Sequence, residues 1–227
     1  MSIFVCIEGV DAAGKATQSK ILAERLGAKL YSFPRYDTEI GKIIKQHLLG
    51  KVALREFRSS VDNPSSGTAF PVASEDPLMF QALMLADKCN AAEELQELFL
   101  AGTPVVCDRW IPSAICYGAA DGVDREWLMR AHLPLLSADL NIFLDITPEE
   151  ALRRRPEARD RYERDREKQK RVREEYQRLW AGDYVDDETG AHYVTVDGDG
   201  GGSGAAAIDV VAERIWVAVE TYRKERE

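Results

Sequence analysis

The segment Gly9-Val10-Asp11-Ala12-Ala13-Gly14-Lys15 has two glycines bracketing four residues and closes on a lysine, with a short apolar run before it and a helical pattern after it. A GxxxxGK loop in that setting wraps a polyphosphate. Glycines let backbone N–H groups turn inward, the helix start adds the positive end of its dipole, and Lys15 reaches the outer phosphates. Gly9, Val10, Asp11, Ala12, Ala13, Gly14, Lys15, Ala16 and Thr17 are therefore the expected ATP contacts. Ala16 stands where such loops carry a Ser or Thr that binds Mg²⁺. Thr17 is one position late, turned by 100° on a helix, so it faces the loop or an α-phosphate. The metal then depends on water and carboxylates.

Two arginines follow strand-like runs. Arg35 ends Phe33-Pro34-Arg35, and Arg109 follows Val105-Val106-Cys107-Asp108. Ligands bind beyond the carboxyl ends of strands in open α/β sheets, and a guanidinium fork suits phosphate oxygens. The pair predicts a clamp for an acceptor phosphate. Asp108 at the same strand end suits a carboxylate that organises a metal. Asp11 beside polyphosphate needs a cation or hydroxyl partner, because like charges repel.

From Arg153 to Arg178 there are 12 basic and 7 acidic residues in a chain whose net charge is −9. Pro156 breaks the first part of this run, which predicts a lid over residues 153–165 whose arginines close on the transferring group. Arg153, Arg159 and Arg161 are the candidates.

The elements that must hold these groups are legible as short β-branched runs at 3–7, 29–33, 104–107, 141–146 and 193–196. They alternate with helical periodicity at 17–26, 40–49, 78–100, 149–152 continuing into 162–180, and 207–222. Strands alternating with helices imply a parallel sheet covered on both faces. The expectation is one domain over residues 1–227, a three-layer α/β/α sandwich with a five-stranded parallel sheet of the P-loop NTPase type. Residues 59–76 and 197–204 read as surface loops. The acidic balance disfavours nucleic acid as a partner, no apolar stretch is long enough to span a bilayer, and four cysteines without metal-ligand spacing suit a reducing cytoplasm.

The run Glu8-Gly9-Val10-Asp11-Ala12-Ala13-Gly14-Lys15-Ala16-Thr17-Gln18 resembles the phosphate loop of thymidylate kinases. Phe33-Pro34-Arg35-Tyr36, Asp108-Arg109-Trp110 with Ser113 and Tyr117, and Ala158-Arg159-Asp160-Arg161-Tyr162-Glu163-Arg164 with Tyr176 resemble further motifs of that family, in its order. The resemblance implies a kinase that moves the γ-phosphate of ATP, with Mg²⁺, onto dTMP, as a homodimer. It implies substrate contacts from Asp11, Phe33, Pro34, Arg35, Met84, Lys88, Arg109, Ser113, Tyr117 and Tyr162, metal contacts from Asp11, Asp108 and Glu163, and catalysis by Lys15, Arg109 and a lid arginine. Where Ala12 stands, some family members carry the catalytic arginine, so this chain resembles the lid type. Met84 and Lys88 stand where relatives carry a large apolar or aromatic residue and an arginine against the base. Two other readings stay open: a kinase for another deoxynucleotide, and an ATP-binding regulator with little turnover, suggested by Ala16.

Overall fold

The computed structural model describes residues 2–52, 77–157, 162, 165–182, 191–202 and 204–226. The expected loop at 59–76, and Arg159, Arg161 and Glu163 of the expected lid, lie outside the described residues.

Five strands form one parallel sheet: β1 (Phe4–Glu8), β2 (Lys29–Ser32), β3 (Val105–Asp108), β4 (Leu140–Asp145) and β5 (His192–Asp197), in the order β2-β3-β1-β4-β5. Alternation along β1 separates two cores. Val5 and Ile7 face one cluster with Leu140, Ile142, Leu144 and Ile215, while Phe4 and Cys6 face another with Tyr31, Ala91, Leu95 and Trp110. A strand buried on both sides is what a sandwiched parallel sheet demands. Cys6, Cys107 and Cys116 are buried free thiols, whereas Cys89 is exposed.

Among the described residues the helices are α1 (Lys15–Leu26), α2 (Glu39–Leu48), α3 (Pro77–Leu100), α4 (Ile111–Ala120), α5 (Arg125–His132), α6 (Pro148–Arg154), α7 (Arg166–Trp180) and α8 (Ala205–Lys224). Two differ from the periodicity reading. Helices α4 and α5 were not expected: α4 gives no amphipathic signal because it is almost wholly buried and so apolar all round, and α5 spans only eight residues, two turns of a period. The helix expected to continue from 149–152 into 162–180 is interrupted after Arg154. Arg155, before Pro156, has extended backbone (φ −138°, ψ 90°), as the residue preceding a proline prefers.

The sheet register brings the site together. Ile7 and Ser32 both pair with Asp108, and Asp145 pairs with Asp197, so the segments leaving β1, β2, β3 and β4 start from one rim. Gly9 turns the chain off β1 with φ +146°, and a Cβ there would lie 2.7 Å from the Leu144 carbonyl oxygen. Only glycine fits that approach.

Candidate active site

The phosphate loop ends at Gly14, whose left-handed backbone (φ 95°) caps α1, so the helix starts on Lys15 itself. Lys15 is 7% exposed, and its ammonium donates to the Val10 carbonyl at 2.8 Å. Burial, helped by the positive charge of Arg109, brings its pKa down to about 8. Ala12 also adopts a left-handed conformation (φ 64°). A strained residue in the loop is typical of a site that holds its shape for a ligand.

Arg109 is the second non-glycine residue with positive φ (68°) among the described residues. That turn between β3 and α4 sends its side chain back over the phosphate loop. One guanidinium nitrogen donates to Asp11 Oδ1 at 2.6 Å and to the Tyr117 hydroxyl at 3.2 Å; the other donates to the Gly9 carbonyl at 3.2 Å and to Ser113 Oγ at 3.3 Å. Asp11 thus has both partners its position demands. Its second oxygen accepts from Tyr117 at 3.1 Å and Gln169 at 2.9 Å. Burial alone would raise the Asp11 carboxyl, but Arg109 and Lys15 outweigh it and hold the group below its ordinary value.

With both Asp11 oxygens engaged, Asp108 is the described acid with an open position. Its Oδ1 is buried with no hydrogen-bond partner among the described residues, and burial pushes its carboxyl up. Such an orphan beside Lys15 fits a hydrated magnesium, which keeps several waters and needs few protein ligands.

Ser113 faces away from this opening. Its hydroxyl donates to Glu8 and lies 3.0 Å from the Tyr176 hydroxyl, so it supports Arg109 from behind. Glu8 is the hub of that support. Fully buried, it accepts from Trp110 N at 2.7 Å, Ser113 N at 3.2 Å and Tyr176 at 2.7 Å, pinning the start of α4 to the end of β1. An acid closing the apolar strand FVCIE was the available sequence signal for it.

Arg35 follows Phe33-Pro34, joined by a cis peptide bond. Asp87 on α3 accepts from its backbone N–H at 2.9 Å and from Nε at 3.2 Å, and the Asp87 carbonyl and Asn90 accept from Nη2 at 2.9 and 2.8 Å. These bonds fix the fork at the rim. Gly41 on α2 permits the turn, since a Cβ there would meet the Arg35 carbonyl oxygen at 1.8 Å.

Met84 and Lys88 lie one turn apart on α3. Met84 and Tyr117 both pack against a cluster of Ile44, Phe80 and Tyr162, so the aromatic rings there are Phe80, Tyr117 and Tyr162. Lys88 is 1% exposed, and among the described residues its ammonium makes one long hydrogen bond, to the Met84 carbonyl at 3.4 Å. Burial lowers its pKa to about 8, against the pull of Glu8 and Asp87.

Arg153 is placed differently from the expected lid arginine. It lies on the last turn of α6, paired with Glu150 at 2.7 Å and donating to the Gly202 carbonyl at 3.0 Å. Arg154, which the sequence reading missed, donates to Ala13 O at 3.3 Å and Gly198 O at 2.7 Å. Both line a cavity of about 350 Å³ with Ala12, Gly14, Thr17 and Gly198. A neighbouring cavity of about 570 Å³ opens between Val10, Asp11, Ala12, Arg155, Arg166 and Gln169. The two meet at Ala12, giving the phosphate loop space on both sides. A cavity of about 860 Å³ between β5 and α8 contains none of the predicted site residues.

The thymidylate kinase family model matches residues 7–60 and 72–185. A probable thymidylate kinase from Thermococcus gammatolerans is 33% identical over 186 residues, covering 79% of this chain and 83% of that protein. A thymidylate kinase from Arabidopsis thaliana is 30% identical over 180 residues, covering 77% of this chain but 60% of that longer protein. The solved structure of thymidylate kinase from Candida albicans superposes with a TM-score of 0.70 at 25% identity, covering 98% of this chain and 92% of that one.

Proposed function

The chain belongs to the thymidylate kinase family of P-loop nucleoside-monophosphate kinases, and from that premise we propose that it transfers the γ-phosphoryl group of ATP to dTMP, giving dTDP and ADP. The observation that carries this reading is Arg109, whose fork joins the phosphate-loop acid Asp11 to Tyr117 and so spans the donor loop and the acceptor wall.

In this reading an acceptor phosphate oxygen attacks the γ-phosphorus in line while the bond to the β–γ bridging oxygen breaks. No covalent enzyme intermediate forms, because positioning and charge neutralisation carry such transfers. Lys15 exchanges its Val10 carbonyl for phosphate oxygens, Arg35 and Arg109 hold the acceptor phosphate, and a lid arginine covers the transferring group. Asp108 would hold Mg²⁺ through its open oxygen, and the ion would neutralise charge on the β and γ phosphates. Tyr117, hydrogen-bonded to Asp11, lies under the sugar and favours deoxyribose. The reading extends, on family resemblance alone, to a homodimer acting in the cytoplasm.

The test is ADP release from ATP and Mg²⁺ with dTMP, dUMP, dCMP, dGMP or dAMP added separately. Strongest stimulation by dTMP is expected. A different preferred acceptor would change the substrate, and no stimulation by any acceptor would leave an ATP-binding protein weakened at Ala16.

Lys88 gives the base site a pH dependence that an arginine would lack. An ammonium donates to a base carbonyl only while protonated, and with a pKa about 8 that form is lost as pH rises. At saturating ATP, whose phosphates keep Lys15 charged, kcat/KM for dTMP is expected to be flat from about pH 7, where the acceptor phosphate is already a dianion, to about pH 8 and to fall above it. Lys88→Arg should extend the plateau, because guanidinium stays charged to above about pH 12. Lys88→Ala should raise the dTMP KM with little change in kcat.

A further inference from the structure

Tyr162 stands between α6 and α7, and its ring faces Phe80 at 5.6 Å and Tyr117 at 6.2 Å between centroids. Its hydroxyl donates to Asp121 Oδ2 at 2.8 Å, at the C-terminal end of α4. The other Asp121 oxygen forms an ion pair with Lys168 on the first turn of α7, and the Lys168 ammonium also sits 3.1 Å above the centre of the Tyr162 ring. One acid and one cation therefore fix both the tip and the face of one aromatic side chain. The backbone is fixed as well. Gln169 donates to the Tyr162 carbonyl at 3.1 Å and to Asp11 Oδ2 at 2.9 Å, tying the ring's own residue to the phosphate loop.

The ion pair joins α4 to α7 directly, and both of its members also touch the Tyr162 side chain. Here the side chains of Asp121 and Lys168 are 13% and 10% exposed, so water screens their attraction poorly and the geometry is stiff. The ring they hold belongs to the same cluster as Met84, one turn from Lys88 on α3. We propose that Asp121 and Lys168 form a latch that positions Tyr162 as a fixed wall of the acceptor-nucleoside site. They are positioning residues, acting through the ring. The proposal rests on the dTMP kinase reading above, since that reading supplies the nucleoside the wall would meet. A wall held in place orders the acceptor before transfer, so the latch acts on acceptor binding and leaves the ATP side to Lys15 and the phosphate loop.

The experiment is steady-state kinetics of wild type, Asp121→Ala, Asp121→Asn, Tyr162→Phe and the double variant Asp121→Ala/Tyr162→Phe, with melting temperatures for each. Asp121→Ala is expected to raise the dTMP KM about tenfold, the equivalent of one charge-assisted hydrogen bond, with kcat and the ATP KM within about twofold of wild type. Asp121→Asn still accepts from the Tyr162 hydroxyl and should fall between the two. Tyr162→Phe should act in the same direction, and the double variant should be no worse than Asp121→Ala, because both remove one interaction. Equal rises in both KM values, a lowered melting temperature with unchanged kinetics, or additive effects in the double variant would overturn the latch. A wild type without dTMP turnover would overturn the kinase reading and the latch together, whereas normal wild-type turnover with an unmoved dTMP KM in Asp121→Ala would overturn the latch alone.

Discussion

Replacing Lys15 with alanine is expected to abolish phosphoryl transfer while leaving the fold at least as stable as before. The loss follows from what Lys15 does: it is the cation that starts α1 within the loop, and removing one preorganised donor from a phosphoryl or acyl transition state costs on the order of 10²- to 10³-fold or more in kcat. The gain follows from what Lys15 suffers. Its folded pKa of about 8 lies below the ordinary lysine value of 10.5, so at neutral pH the folded protein keeps the charge against the preference of its surroundings. The sign follows from proton counting. Between those two values the unfolded chain binds more protons than the folded one, so the cost is fully present below pH 8 and is relieved as pH rises through that window. On the scale of pKa differences this cost is on the order of a few kcal/mol, larger than the ~1 kcal/mol of the hydrogen bond to Val10 that the alanine variant gives up. Thermal melting at pH 7 and ADP release on the same preparations check both halves. A variant that melts well below wild type would show that Lys15 supports the loop's structure, and appreciable turnover would remove it from the mechanism.

Strands and phosphate loop were legible because their signals are local: β-branched runs of four to six residues, and glycines at fixed offsets beside a lysine. The five strands lie within a residue or two of the expected ranges. Helix α4 was not legible, since a helix buried on every side loses the polar face that produces a period. The supporting residues were hidden for another reason. Glu8 meets Trp110 across 102 positions, Asp11 meets Gln169 across 158, and Arg35 meets Asp87 across 52. No spacing rule connects such pairs, because their proximity is a product of sheet order. Arg154 shows the finer limit. Three consecutive arginines look alike in sequence, and the turn of about 100° between neighbours on α6 sends Arg154 to the Ala13 carbonyl and Arg153 to Gly202.

Sheet order also explains why the acid in the phosphate loop is tolerated. Strand β1 lies between β3 and β4, so the segment after β1 and the segment after β3 leave the rim side by side, and Arg109 arrives where Asp11 needs a counter-charge. With the two side chains 14% and 20% exposed, the pair is shielded enough that neither member can lose the other cheaply.

Arg109→Ala should therefore produce the second large effect, and a compound one. Removing a single member of a buried pair typically costs about 3–5 kcal/mol, because the remaining charge stays buried without a partner. The orphan is Asp11, and without Arg109 its carboxyl should rise toward and above the ordinary range, since burial then meets only Lys15 and two neutral donors. The variant should be least stable at neutral pH relative to wild type and should recover part of that difference as pH falls and Asp11 takes up a proton. Catalysis should not recover with it, because the acceptor phosphate has lost its fork. Arg109→Lys separates the two roles: an ammonium can pair with Asp11 and restore stability, yet it cannot reach Gly9, Ser113 and Tyr117 from one planar group. The expected order is wild-type stability with kcat/KM for dTMP reduced about 10²-fold in the lysine variant, and both properties lost in the alanine variant. Melting curves from pH 5 to 8 and acceptor kinetics decide it. Full activity in Arg109→Lys would mean that charge alone suffices at this position and that the fork geometry around Asp11 serves the fold.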